Sequence, residues 1–264
     1  MTEAVIQISR LTKIFGGGRR FLKPQAHVVR ALTEVSVQVK KGETLAIVGE
    51  SGSGKSTLAR ILVGLETPTS GTVTIAGRDA AALRAQGPAA FGKTIQYVFQ
   101  DPIASLNPRH TIRQILDAPL RILAGLAPAQ RAERMRALMA DVDMPEETLD
   151  RYPHEMSGGQ AQRMAIARAL AAEPDILVLD EPVSALDVSV QAQVLILLQR
   201  LKERLELSYL FISHDLAVVE AIADRVAVMH SGEIVELEET RQLFRSPIHP
   251  YTQKLIRSAP RIGR

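Results

Sequence analysis

Residues 45–57 read LAIVGESGSGKST, and the helical pattern LARILVGL follows at 58–65. Four apolar residues, Leu45 to Val48, make a short buried strand. They run straight into Gly49-Glu50-Ser51-Gly52-Ser53-Gly54-Lys55-Ser56-Thr57, a GxxxxGK[ST] stretch set between a strand and a helix, which is the context that motif requires. Only glycine lets a backbone wrap closely enough for successive N–H groups to face phosphate oxygens, and the positive end of the following helix adds to the same field. Lys55 is placed to reach the β- and γ-phosphates of a nucleoside triphosphate, and Ser56 offers a hydroxyl to its Mg2+. An incidental glycine turn is the competing reading, and the flanking strand and helix decide against it.

A phosphate site of this kind needs an acidic partner at the end of a second buried strand. Ile176 to Leu179 followed by Asp180-Glu181 supplies one. An aspartate there can hold Mg2+ through its water shell, and the adjacent glutamate is placed to polarise an attacking water. In isolation, a strand end capped by two solvated acids would be an equal reading.

The rest of the chain narrows the class. It has 264 residues, 46% hydrophobic and 23% charged, values close to a globular average that exclude wholesale disorder and fibrous repeats. The longest uninterrupted apolar run, Val194 to Leu198, falls far short of the roughly 20 residues that span a bilayer. The opening MTEAVIQISRLTKIF alternates apolar and polar residues and does not read as a secretion signal, so a cytoplasmic location is expected. Cysteine is absent, which removes disulfides, thiolate catalysis and cysteine metal sites. The isoelectric point near 9.3 rests on only 32 basic against 29 acidic residues. With 4% aromatic residues and no tryptophan there is little to stack on bases, so nucleic acid is not an expected partner.

Strands dominate the first hundred residues, with period-two alternation at Val35, Val37 and Val39, a glycine-bracketed TVTIA at 72–76, and a short strand from Thr94 to Phe99. GGGRRFLKPQAH, residues 16–27, reads as a long exposed hairpin connection. After Asp101 the pattern turns helical at 111–124 and 128–142, with Pro119 and Pro128 expected to interrupt. Strand and helix alternation resumes from 176, which argues for a parallel α/β sheet.

Ser157-Gly158-Gly159-Gln160, a hundred residues beyond the phosphate loop, is by itself a serine cap opening the helix AQRMAIARALA. Its neighbours give it another meaning. In order, the chain carries Gly49 to Thr57, Gln100 after IQYVF, SGGQ at 157–160, the acidic strand at 176–181, Ser184-Ala185-Leu186-Asp187, and His214 after YLFIS. This series resembles the motif set of ABC-type ATPases over nearly the whole chain. Met156 stands where leucine is commoner in that family.

The resemblance implies a P-loop NTPase of RecA-like fold, a parallel-sheet core with an antiparallel β-subdomain and an inserted α-helical subdomain. The expected division is 1–100 with 175–240 for core and β-subdomain, 101–174 for the helical subdomain and 241–264 for a C-terminal tail. It implies ATP and Mg2+ as cofactors, with Ser56, Gln100 and Asp180 toward the metal and Glu181, Gln100 and His214 in catalysis. Ser157, Gly158, Gly159 and Gln160 would meet the γ-phosphate held by a second ATPase subunit, and Asp187 would lie at the seam. That partner is a different ATPase chain, or a second copy in isolation. An aromatic commonly stacks on adenine, for which Phe15 is the matching position and Phe21 the alternative. The histidines at 27, 110, 154, 230 and 249 show no ligand spacing, so no protein metal site is expected.

Two further stretches, DPIASLNPR at 101–109 and SPIHPYT at 246–252, are similar to the dipeptide, oligopeptide and nickel importer group, and SLNPR to the second of its two ATPase subunits. PIHPYT alone reads as an exposed proline-rich turn. The resemblance therefore implies an ATP-hydrolysing subunit at the cytoplasmic face of the inner membrane, working with two permease subunits and a solute-binding protein. Peptide uptake is favoured over nickel or metal-chelate uptake. A soluble ABC module without transport function is the alternative from another class.

Overall fold

The computed structural model describes residues 3–16 and 28–258. Strands β1 (Ala4–Phe15), β2 (Val29–Lys40) and β3 (Thr44–Val48) precede the phosphate loop, and α1 (Lys55–Leu62) follows it. Then come β4 (Ser70–Ile75), β5 (Arg78–Asp79), α2 (Ala80–Ala85), α3 (Pro88–Thr94) and β6 (Ile95–Val98). A helical stretch holds α4 (Pro102–Ser105), α5 (Ile112–Ile122), α6 (Pro128–Asp141) and α7 (Gly158–Leu170). Alternation returns with β7 (Ile176–Asp180), α8 (Val188–Leu205), β8 (Ser208–Ile212), α9 (Leu216–Ile222), β9 (Arg225–His230) and β10 (Glu233–Glu239). Helices α10 (Thr240–Arg245) and α11 (Pro250–Ser258) follow.

Two sheets result. One is antiparallel, in the order β2-β1-β4-β5, and the other runs β10-β9-β3-β8-β7-β6. In the second, β9, β3, β8, β7 and β6 are parallel, and β10 returns antiparallel at the edge. The parallel α/β core expected from the alternation is present, as is the strand-rich N-terminal part.

Burial on both faces explains why the central strands read as apolar runs. Every residue of β3, β7 and β8 is buried. Alternate side chains serve different cores. Leu177, Leu179, Tyr209 and Phe211 pack with the helices α5 to α8. Ile176, Val178, Leu210 and Ile212 face a second core shared with Ile6, Ile8 and Leu11 of β1 and Val35, Val37 and Val39 of β2. A third, smaller core joins Ala46 and Val48 to Leu216 and Val219 of α9, with Tyr251 and Leu255 of α11 packed against it.

Three expectations change. Pro119 does not interrupt its helix but lies inside α5, and its carbonyl still accepts N–H bonds from Leu123 and Ala124. An interior proline costs about 3 kcal/mol, which burial of Ile112, Leu116 and Leu120 offsets. Pro128 starts α6 rather than breaking a helix, since its fixed φ suits the first helical turn. PIHPYT is not simply an exposed turn, because Pro250 opens α11 and Thr252 is fully buried. Most of the 16–27 connection, Phe21 included, lies outside the described residues.

Candidate phosphate and hydrolysis site

Parallel strands bring their C-terminal ends to one edge, where open α/β sheets place their ligands. Here β3 delivers Gly49, β6 delivers Gln100, β7 delivers Asp180 and Glu181, and β8 delivers His214.

The loop after β3 needs its glycines for space as well as for conformation. A Cβ on Gly49, at φ +155°, would lie 2.1 Å from the Met229 carbonyl oxygen, and one on Gly54, at φ +110°, 2.4 Å from that of Ala31. Lys55 opens α1 with its side chain folded into the loop, and its Nζ donates to the carbonyls of Gly49 and Glu50, both at 2.8 Å. Burial lowers the Lys55 pKa, and the negative charges of Glu181 and Asp180 oppose that shift.

Asp180 is buried at 4% exposure and accepts from Ser56 Oγ at 3.3 Å and from Tyr97 Oη at 2.5 Å. Burial raises its pKa, against the hydrogen bonds from Tyr97 and Ser56. Ser56 and Asp180 thus bring two hard oxygen donors together, which suits Mg2+, an ion that keeps several of its waters. Among the described residues no three His, Asp or Glu side chains cluster into a protein metal site. A cleft of about 430 Å3 lined by Ser56, Arg60, Tyr97, Gln100 and Asp180 opens beside this pair.

Glu181 leaves the line of β7 through a left-handed backbone, φ 48°, while its N–H still donates to the Ile212 carbonyl at 2.9 Å. A non-glycine residue holds that conformation at a cost of about 1–2 kcal/mol. The turn holds the carboxylate between two neighbours: Oε2 accepts from Gln100 Nε2 at 2.9 Å, and Oε1 lies 3.1 Å from His214 Nδ1. The three residues expected to act in catalysis therefore lie together, Gln100 hydrogen-bonded to the Glu181 carboxylate and the His214 ring beside it.

Ser157 to Gln160 form a second site. Ser157 caps α7 in a reciprocal box, its Oγ accepting the Gln160 N–H at 3.3 Å and Gln160 Oε1 accepting the Ser157 N–H at 3.0 Å. A Cβ on Gly159 would lie 2.4 Å from Val190 Cγ1, so glycine lets α7 pack on the start of α8. Asp187 caps α8 and accepts from the Val190 N–H at 3.0 Å and from Ser189 Oγ at 2.7 Å. Those bonds lower its pKa. Among the described residues no hydrogen bond joins 157–160 to Lys55, Asp180 or Glu181. Phe15 ends β1 at 37% exposure, with Lys13 Nζ 4.6 Å from its ring centroid.

Tyr97 joins the site although no motif includes it. Its signal was a tyrosine on a buried strand three residues before Gln100, since a buried phenol needs a partner for its hydroxyl.

Comparison with known proteins places the chain among relatives of known family. The family described as "ABC transporter" matches residues 32–184, and that described as "Oligopeptide/dipeptide transporter, C-terminal region" matches 235–264. The chain is 52% identical over 243 residues to the "Dipeptide transport ATP-binding protein DppF" of Haemophilus influenzae, covering 92% of this chain and 74% of that one. It is 46% identical over 259 residues to the "Oligopeptide transport ATP-binding protein AppF" of Bacillus subtilis, covering 98% and 79%. Among solved structures it is similar to a dimeric post-hydrolysis state of the ATP-binding cassette MJ0796 bound to ADP and Pi. That match has a TM-score of 0.77 and 30% identity, and covers 89% of this chain and 99% of that one.

Proposed function

The chain belongs to the ABC transporter family of ATP-hydrolysing subunits, with the oligopeptide/dipeptide C-terminal region, and we propose that it energises import of di- or oligopeptides. The observation that carries the ATPase half of this reading is the Glu181 carboxylate held between Gln100 and His214 beside the phosphate loop.

In this reading the amides of Gly49 to Thr57 and the Lys55 ammonium hold the triphosphate. Ser56, Asp180 and Gln100 would hold Mg2+, which when bound neutralises charge on the phosphate oxygens. Glu181 takes the proton of the attacking water, Gln100 positions that water, and His214 keeps the carboxylate oriented while its other ring nitrogen meets the γ-phosphate. Phe15 stacks on the adenine.

Ser157, Gly158, Gly159 and Gln160, at the N-terminus of α7, face the nucleotide of a second ATPase subunit, and Asp187 lies at that seam. The partner is a related ATPase chain, and the pair works on two permease subunits fed by a solute-binding protein. Contacts made only in the closed pair give ATP the differential affinity that drives closure. Attachment at the inner membrane is peripheral and through the permeases. Among the described residues no helix is long and apolar enough to cross a membrane. Residues 101–174 make the helical subdomain, of which 101–156 carry the surface that grips the permeases, beside a core of 1–100 and 175–240 and a tail of 241–264.

Uptake into vesicles holding the whole transporter tests the cargo. Labelled dipeptide should accumulate with ATP inside, and uptake of Ni2+ with no peptide uptake would overturn the assignment.

A further inference from the structure

The segment Pro247 to Thr252 takes no part in the chemistry above, yet it is fastened on three sides. The Glu236 carboxylate on β10 accepts the N–H groups of Ile248 at 2.8 Å and His249 at 2.9 Å. His249 Nδ1 accepts the Tyr251 N–H at 3.2 Å as α11 begins. The Tyr251 ring lies on that of His230, at the end of β9, with centroids 3.9 Å apart and planes inclined by 32°. These contacts fix where the phenol points. Its oxygen accepts the backbone N–H of Glu50, the second residue of the phosphate loop, at 3.0 Å.

The same stretch of loop is held from β9 and its turn. The Gly232 N–H donates to the Ser53 carbonyl at 3.0 Å, and the Met229 carbonyl occupies the space a Gly49 side chain would need. Within the loop, Ser53 N–H donates to the Glu50 carbonyl at 3.2 Å, and that carbonyl also accepts from Lys55 Nζ. Glu50 is therefore a junction. Its carbonyl side is tied to the lysine and to the loop's own turn, and its N–H side to a helix about two hundred residues further along the chain.

We propose that Tyr251 is a positioning residue for the nucleotide site, its hydroxyl setting the start of the phosphate loop so that the C-terminal segment braces that loop. The proposal rests on the nucleotide reading given above. Amides that must converge on one phosphate lose affinity when the loop's entry can wander, since ordering it then falls to the binding step. Among the described residues no hydrogen bond joins this segment to Glu181, Gln100 or His214, so the brace acts on ATP affinity and KM and leaves kcat nearly as it was.

The test is Tyr251→Phe in the full chain, because phenylalanine keeps the ring and its stack on His230 and loses only the acceptor. A fluorescent ATP analogue is titrated with Mg2+ into parent and variant, and exchange of the Glu50 amide is followed by NMR. The variant is expected to bind about three- to tenfold more weakly, the range a single net hydrogen bond supports. Its Glu50 amide should exchange faster while the amides of β9 do not change, a readout that general loosening would not give. Parent binding with the variant within twofold of it would remove the brace alone. A parent that binds no analogue would remove the nucleotide reading and the brace with it.

Discussion

Replacing Glu181 by glutamine changes one property of the site and preserves the others. The side chain keeps its length, and its left-handed backbone, φ 48°, strains either residue alike. A glutamine carbonyl can still accept from Gln100 Nε2, now at 2.9 Å from the carboxylate. Its amide nitrogen can take the place of the oxygen that now lies 3.1 Å from His214 Nδ1. The Gln100 hydrogen bond survives and the place beside His214 stays filled, so what disappears is the negative charge and the basicity. A lost general base lowers turnover by about 10²- to 10⁴-fold, or roughly 3–5 kcal/mol at 1.36 kcal/mol per decade. Nucleotide affinity should hold or tighten, because Glu181 is close enough to act on the Lys55 ammonium and its charge opposes the triphosphate. Phosphate release by the assembled transporter, measured beside a nucleotide titration, separates the two effects. Turnover within tenfold of the parent would refute the role given to this carboxylate.

Lys55→Ala should weaken ATP binding by about 10- to 100-fold, as loss of a charged hydrogen-bond donor does, and parent-like affinity by calorimetry would contradict the loop assignment. Burial holds the Asp180 carboxyl above its usual pKa, so its contribution to stability is full below the unfolded value of about 3.9 and is lost as pH rises through the raised folded value. Asp180→Asn should accordingly raise the melting temperature at pH 7, by about 2–4 °C for each kcal/mol recovered, while ending Mg2+-dependent turnover; a lower melting temperature would count against it. Glu236 behaves in the opposite sense. Burial pushes its pKa up, but the N–H donors of Ile248 and His249 outweigh that and leave it below the usual value. Its hold on the C-terminal segment is present above the unfolded value of about 4.3 and is lost as pH falls through the lower folded one. Glu236→Gln should therefore loosen residues 246–258 at pH 7, by about 1.5–3 kcal/mol, seen as faster proteolytic removal of α11 than in the parent.

The site was legible wherever one strand end and one loop carry the chemistry. LAIV before Gly49 and ILVL before Asp180 are doubly buried strands, and burial on both faces leaves a continuous apolar run with the functional residue at its end. Features that depend on distant partners were not legible. Tyr97 gains its meaning only when β6 pairs with β7 and sets it against Asp180. Tyr251 does so only when α11 meets the loop after β3. Helices α2 and α3 lie in an alanine-rich stretch with little hydrophobic periodicity, and it takes Asp79, accepting from the N–H groups of Ala81 and Ala82, to start the first of them. Strand β10 passed unseen because its acids dilute the apolar alternation, although Glu236 among them is nearly buried and anchors the segment that follows.

In the proposed function this chain turns ATP hydrolysis into work on membrane subunits. Release of inorganic phosphate from Mg-ATP by the chain assembled with its permeases, with and without peptide-loaded binding protein, tests it most directly. Hydrolysis that rises when the loaded binding protein is added, and that Glu181→Gln abolishes, is the predicted result. Hydrolysis that is absent, or indifferent to the loaded protein, would rule out that coupling.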